Sequence, residues 1–471
     1  MADILLTHGY FLHEDEKEQK IMKPYPPLGL LYLSAYLRRA GFSVDLFDTT
    51  FATRAALVDR LAASAGGVLG IYTNLITRGV VIDLVRSAKL HGWTVVLGGP
   101  ESANYPAEYL EHGADVVVVG EGEATLAELL PALASRGPHG LRDIAGVIFR
   151  DEAGKLVTNP ARAQIPDLDS LPWPDREQID IDAYVDVWRK HHGMGSVNLI
   201  TSRGCPYRCR WCSHAVYGYT HRRRSVMDCA NELQHIVDRY QPDMVWYSDD
   251  VFTIHHGWVF EYARELERRG LRVPFETISR ADRLKPSSQR GVDADALFRT
   301  LSDMGCWRLW IGSESGSQRL LDAMQRDVTV EEVQWATRTA QRYGIQVGMF
   351  LMWGYGDENA DDIEATLEHL KAASPDTFVT TVSYPIKGTP YFNDVADRVL
   401  SDGEWAARTD RMYRIRGRHS RGYYAHADTW VRAAYEAHRL ETLDPVRAAE
   451  QRHRAAEARV RMQELAAEVE A

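Results

Sequence analysis

The sequence predicts an α/β protein with two parallel-sheet domains in tandem, a doubly wound one and then a partial (β/α)6 barrel, followed by a helical C-terminal region. Three observations predict it. Short apolar runs alternate with helical periodicity over residues 1–135, the alternation resumes at β/α spacing over 196–395, and beyond 400 it gives way to charged helical sequence. Apolar strands separated by helices imply a parallel sheet covered on both faces.

The first region reads as five strands: Ile4–Thr7, Ser43–Asp48, Val68–Tyr72, Thr94–Leu97 and Asp115–Val119. Leu28 to Ala40, Arg78–His91 and Glu123–Ser135 carry apolar residues at helical spacing. A five-stranded Rossmann-like sheet binds ligands at the carboxyl ends of its strands. Gly98-Gly99-Pro100-Glu101 follows the fourth strand and Gly120-Glu121-Gly122-Glu123 the fifth. Glycine there lets backbone approach a bulky ligand, and equally it ends a strand before an ordinary turn.

Residues 136–195 read as a connector. It holds a small hairpin around Asp151–Gly154 and a proline- and acid-rich linker over Asp167–Asp175. The barrel region supplies six strands, at 197–201, 243–248, 273–278, 307–312, 346–351 and 378–383. Helices lie at 226–240, 256–269, 292–304, 317–324, 330–343 and 361–373. Such units place function at the strand carboxyl ends. Residues 396–471 form the helical region, and 444–471 read as a solvated helix or frayed tail. Its aromatics Trp405, Tyr413, Tyr423, Tyr424 and Trp430 are expected to make the core of a helical cap more than a wall for a hydrophobic substrate.

Net charge is −11 over 471 residues, which argues against a nucleic-acid partner. No apolar run reaches the roughly 18–20 residues of a membrane span. The N-terminus reads as a first strand and not a signal peptide, so a cytoplasmic protein is expected. Five cysteines, three of them within eight residues, do not make a disulfide framework. Cys229 and Cys306 read as small buried residues and Arg222-Arg223-Arg224 as solvated surface.

The chemistry lies in Gly204-Cys205-Pro206-Tyr207-Arg208-Cys209-Arg210-Trp211-Cys212, directly after the first barrel strand. Cys205, Cys209 and Cys212 are spaced to bind three irons of a cubane cluster, leaving the fourth iron open for a substrate. Zinc is the competing metal, with Cys229 or His214 as its fourth ligand.

This loop and the β/α units after it resemble the radical S-adenosylmethionine (SAM) superfamily. The resemblance implies a [4Fe–4S] cluster whose open iron chelates SAM and whose electron yields a 5′-deoxyadenosyl radical. It also implies SAM contacts from Tyr207 and Trp211 in the loop and from Ser248 and Asp249 after the second strand. Further SAM contacts are implied for Ser279 and Arg280 after the third strand, Glu314 in Gly312-Ser313-Glu314-Ser315, and Met349 on the fifth strand. The usual paired glycines are missing from Trp246–Phe252. Bland alternatives stand beside these roles: Tyr207 and Trp211 as loop packing, Asp249 as a helix cap.

Pro26–Leu37, Gly98-Gly99-Pro100 and Gly120–Glu123 resemble the cobalamin-binding domain fused to one branch of that superfamily. The resemblance implies cobalamin contacts from Leu28, Gly29, Tyr72, Thr73, Gly98, Gly99, Pro100, Gly120, Glu121 and Gly122. An Asp-x-His-x-x-Gly motif is absent, so no protein imidazole is expected on cobalt, and His8 and His13 read as loop polarity. A vestigial domain that binds nothing is the alternative.

The implied activity is methylation of an unactivated carbon by the adenosyl radical and methylcobalamin. The expected substrate is a small molecule, hydrophobic if the C-terminal aromatics wall its pocket, with electrons from an external donor such as a flavodoxin or ferredoxin. The alternative is a cyclase or ring-rearranging enzyme using both cofactors without methyl transfer, like the anaerobic magnesium-protoporphyrin cyclase. A cobalamin-free RNA-modifying enzyme and a non-catalytic cobalamin or zinc sensor are further rivals.

Overall fold

The structure is a computed structural model that describes residues 2–64, 66–285 and 294–471. It divides into two compact units. The first holds Met1–Pro206, Ser213–Trp246 and Gly403–Arg411, and the second holds Tyr207–Cys212, Tyr247–Asp402 and Met412–Ala471.

The first unit is built on a seven-stranded sheet. Its strands are β1 (Ile4–His8), β2 (Val44–Phe47), β3 (Gly67–Tyr72), β4 (Trp93–Gly98), β5 (Val116–Val118), β6 (Val147–Arg150) and β7 (Leu156–Thr158), in the order β2-β1-β3-β4-β5-β6-β7. The first five are parallel and in the expected places. Alternate side chains of β1 serve opposite cores. Leu5 packs with Leu57, Leu69 and Val85, while Ile4 and Leu6 pack with Leu30, Val96 and Leu126. That is why the run is apolar without a break.

The sheet is larger than the five strands expected. The hairpin β6–β7, assigned to the connector, joins it antiparallel, with Val117 opposite Ile148. Val147, Ile148 and Phe149 are buried and cover what would have been an exposed edge at β5. The connector also contains a helix, Ile181–His192, that the linker reading missed. Its Tyr184 hydroxyl donates to Asp48 at 2.7 Å and its Trp188 indole to the Pro24 carbonyl at 2.7 Å. Four more short strands follow: β8 (Ser196–Leu199), the antiparallel pair β9 (Ser202–Arg203) and β10 (Arg222–Arg223), and β11 (Met244–Tyr247).

In the second unit β12 (Phe275–Ser279), β13 (Cys306–Glu314), β14 (Gln346–Trp353) and β15 (Thr377–Val382) run parallel in that order. Helices Ala294–Met304, Val330–Arg342 and Ala360–Ala373 connect them, the last two opened by capping boxes at Thr329 and Asn359. The helix expected from 292 is described from Ala294, and its first two positions lie outside the described residues. A short antiparallel pair, β16 (Val399–Leu400) and β17 (Arg414–Ile415), precedes helices Arg421–Leu440 and Pro445–Glu464. The last helix is not a frayed tail: Ala448, Ala455, Ala458 and Met462 are buried, and His419 bridges to Val469. Tyr423, Tyr424 and Trp430 make a buried cap core. Trp405 does not join them; it packs against Tyr105 and Tyr109 in the first unit. No helix among the described residues is long and apolar enough to cross a membrane.

Candidate functional site

At the carboxyl ends of β3, β4 and β5 lies a cavity of about 330 Å³. Nine of the ten residues expected at cobalamin line it: Leu28, Gly29, Tyr72, Gly98, Gly99, Pro100, Gly120, Glu121 and Gly122. Thr73 stands behind the rim, its hydroxyl donating to the Gly98 carbonyl at 2.9 Å and accepting from the Ser102 amide at 3.0 Å. Two glycines keep the space open. A Cβ on Gly98 or Gly29 meets no atom within 4 Å, so any side chain there enters free volume. Gly99 is glycine for backbone reasons: its φ is +104°, and a Cβ would lie 2.3 Å from the Thr73 carbonyl oxygen. A flat, bulky ligand in this cavity would lie against bare backbone, which fits the corrin reading.

The charged wall of this cavity was not legible in the sequence. Arg203 donates to Glu121 at 2.8 Å and to Glu123 at 2.7 Å, with its guanidinium over the rings of Tyr32 and Tyr217. Arg222 donates to the second Glu121 oxygen at 2.7 Å, and the Ile165 amide adds another bond at 2.8 Å. Burial alone would raise the Glu121 pKa, but bonds from Arg222 and Arg203 hold it below the ordinary carboxylate value. Glu121 is therefore saturated by arginine. The surface reading of Arg222–Arg224 is corrected by the same network, since Arg224 is buried and bound to Glu232 and Asp228. A run of three arginines folds inward here because each buried one meets a carboxylate.

His8 is corrected too. It ends β1 as a buried side chain, with Nε2 2.9 Å from Asp48 and Thr49 against the ring, and is not loop polarity. Among the described residues lining the cavity there is no histidine.

In the second unit, Cys209 is buried, and two guanidiniums converge on it. Arg280 Nη1 and Arg326 Nη1 each lie 3.5 Å from its Sγ. Arg280 also donates to Asp282 at 2.9 Å and to the Arg326 carbonyl at 2.5 Å, and it covers the ring of Tyr207 at 3.7 Å from the centroid. Arg326 donates to the Gly312 carbonyl at 2.7 Å and stands 3.8 Å from Glu314. Glu314 is buried in the left-handed region at φ +63°, an uncommon conformation for a non-glycine residue. Burial pushes its pKa up, opposed by Arg326 and Arg280. Two buried cations beside one sulfur put positive charge where a thiolate ligand carries negative charge, which fits an iron–sulfur site. Among the described residues no three His, Cys, Asp or Glu side chains are already converged as a metal-binding group.

The other expected SAM residues are scattered in depth. Trp211 packs with Met324, Met352, Tyr355 and Tyr391. Ser248 and Asp249 follow β11, with Asp249 buried. The Ser279 hydroxyl pairs with Thr253. Met349 sits within β14, which runs on to Trp353, so it is a fully buried strand residue and not a strand end. Arg280 grips the loop itself, through Cys209 and the ring of Tyr207. Arg326 was missed, and nothing in its neighbourhood of the sequence marks it. Cys229 and Cys306 are buried as expected.

Comparison with known proteins finds two family matches. Residues 199–370 match the radical SAM superfamily and residues 19–130 the B12 binding domain. The chain is 27% identical over 396 residues to an uncharacterized methyltransferase of Pyrococcus horikoshii, covering 82% of each chain. It is 23% identical over 389 residues to the anaerobic magnesium-protoporphyrin IX monomethyl ester cyclase of Rubrivivax gelatinosus, covering 80% of this chain and 67% of that one. Its fold is similar to that of the cobalamin-dependent S-adenosylmethionine radical enzyme OxsB, with a TM-score of 0.76 and 18% identity over 99% of this chain and 72% of that one. Residues 199–370 therefore carry the radical SAM match and residues 19–130 the B12 binding match, and the chain is an enzyme whose cofactors are a [4Fe–4S] cluster, SAM and cobalamin.

Proposed function

We propose that this enzyme methylates an unactivated carbon of a small molecule. When bound, the cluster and cobalamin supply one-electron cleavage of SAM and a methyl donor. Cys205, Cys209 and Cys212 hold the cluster. Tyr207, Trp211, Ser248, Asp249, Ser279, Arg280, Glu314 and Met349 are assigned to the SAM side. Leu28, Gly29, Tyr72, Thr73, Gly98, Gly99, Pro100, Gly120, Glu121 and Gly122 are assigned to the cobalamin side. Residues 1–135 together with the hairpin β6–β7 form the cobalamin domain, the rest of 136–195 a connector, 196–395 the barrel and 396–471 the helical region. A soluble electron donor such as a flavodoxin or ferredoxin, and a cytoplasmic setting, complete the reading.

The observation that carries it is the glycine-lined cavity at the strand carboxyl ends. The walls supply bare backbone and a saturated Glu121, so a corrinoid there would be held by shape. Likeness to a relative named as a methyltransferase supports the same reading. In an anaerobic turnover with SAM, reductant and a panel of small-molecule acceptors, S-adenosylhomocysteine and 5′-deoxyadenosine are expected to accumulate together. 5′-Deoxyadenosine with product but no S-adenosylhomocysteine would overturn methylation. That result would favour ring closure or rearrangement, the reading supported by likeness to the protoporphyrin cyclase.

A further inference from the structure

The cysteine loop is bracketed in sequence by residues that line the cobalamin cavity. Arg203 stands two positions before Cys205, and Val216 and Tyr217 come four and five after Cys212; all three line the cavity. Arg203 is among the most constrained side chains of the first unit. It is 5% exposed, forks onto Glu121 and Glu123, and lies over two tyrosine rings. Its backbone is fixed as well, because β9 pairs Arg203 with Arg222 of β10, whose own guanidinium holds the far oxygen of Glu121. Between Arg203 and Cys205 there is only Gly204. Its φ is +85°, and a Cβ there would stand 2.4 Å from the Thr220 carbonyl oxygen. The connection from the end of β5 to the first cysteine therefore has no slack.

We propose that Arg203 is a positioning residue that couples the two cofactor sites, so that loading the cavity with a corrinoid tightens SAM binding at the cluster. A ligand against Gly120, Glu121 and Gly122 fixes the two carboxylates that grip Arg203, and Arg203 fixes the backbone that presents Cys205. A buried, bidentate guanidinium held by two carboxylates transmits such a constraint because neither partner can turn away without leaving a charge unpaired. Coupling of this kind is reciprocal: SAM tightens corrinoid binding by the same factor. The inference rests on the two-cofactor reading and not on methyl transfer.

The test is SAM affinity, read from the cluster's electron paramagnetic resonance signal in anaerobically reconstituted full-length protein, with and without hydroxocobalamin. Hydroxocobalamin is expected to tighten SAM binding about tenfold in the unsubstituted protein, within the usual range of coupling between sites. Arg203→Gln is expected to lose the enhancement even when hydroxocobalamin is raised until the cavity is saturated. Arg203→Lys, which keeps the charge without the fork, is expected to retain a small part of it. If Arg203→Gln fails to fold, Glu123→Gln removes one tine of the fork and is expected to reduce the enhancement. Equal SAM affinity with and without hydroxocobalamin, or full enhancement in Arg203→Gln or Glu123→Gln, would overturn the proposal alone. Failure of the unsubstituted protein to bind hydroxocobalamin would overturn the cofactor reading with it.

Discussion

The cavity of the first unit and the surroundings of Cys209 in the second handle charge in opposite ways. Around the cavity each buried carboxylate has its arginine: Glu121 takes Arg203 and Arg222, and Glu123 takes Arg203. What remains to meet a ligand is glycine backbone and apolar side chains. Around Cys209 the balance is tilted. Arg280 and Arg326 crowd one sulfur, with Asp282 and the more distant Glu314 as their carboxylates. The first region selects by shape and the second by charge. A corrin ring presents a broad face to be cradled, whereas a thiolate-ligated cluster binding a zwitterionic sulfonium needs paired electrostatics.

The largest effect that sharpens this contrast should come from replacing Cys205, Cys209 and Cys212 together with alanine. Cluster absorbance and SAM cleavage should fall to background, while hydroxocobalamin binding falls only by the lost coupling. Complete loss of corrinoid binding in that variant would mean that the two regions are not separable. On the shape side, Gly98→Ala should weaken hydroxocobalamin binding by about tenfold with little change in melting temperature, because Gly98 lines the cavity and a Cβ there meets no protein atom within 4 Å. Gly99→Ala should do the reverse and destabilise the fold by roughly 1–3 kcal/mol, since its Cβ collides with backbone at a positive φ. Equal melting temperatures for the two variants would break the distinction.

On the charge side, Arg326→Lys keeps one positive charge but loses the geometry that reaches both Cys209 and the Gly312 carbonyl. SAM cleavage should drop about tenfold by loss of charge-assisted contacts, with hydroxocobalamin affinity nearly intact. The smallest effect concerns a carboxyl group that has no such arginine. Glu358, following β14, is buried, and its pKa is raised to about 8, first by burial, although the Gly354 amide donates to it at 2.5 Å. Its folded pKa lies above the ordinary value of 4.5, so the protonated form favours the fold. That contribution is complete below pH 4.5 and lost as pH rises through about 8. Glu358→Gln should therefore gain melting temperature relative to the unsubstituted protein as pH is raised from 5 to 9. A flat difference would show that the group ionises freely.

Much of this was legible because it is local. The cysteine spacing, the glycine turns after β4 and β5 and the apolar strands are written in a few adjacent residues, and nine of ten expected cavity residues meet in space. What was hidden is tertiary. Arg203 and Arg326 carry no motif, and their roles depend on carboxylates and a sulfur some 80 and 117 positions away in sequence. Arg222–Arg224 and His8 were misread because a charge run and a loop histidine default to solvent until buried partners appear. The hairpin β6–β7 was read as a hairpin of the connector and not as part of the first sheet, because nothing in its own residues announces the open edge it covers.

That one chain carries both a SAM-cleaving cluster and a corrinoid is tested by anaerobic reconstitution with iron, sulfide and hydroxocobalamin, followed by metal and corrinoid analysis and a 5′-deoxyadenosine assay with SAM and reductant. Co-purifying iron, sulfide and corrinoid, with 5′-deoxyadenosine formed on reduction, is the result expected. Stoichiometric zinc in place of iron, no retained corrinoid and intact SAM would contradict the account.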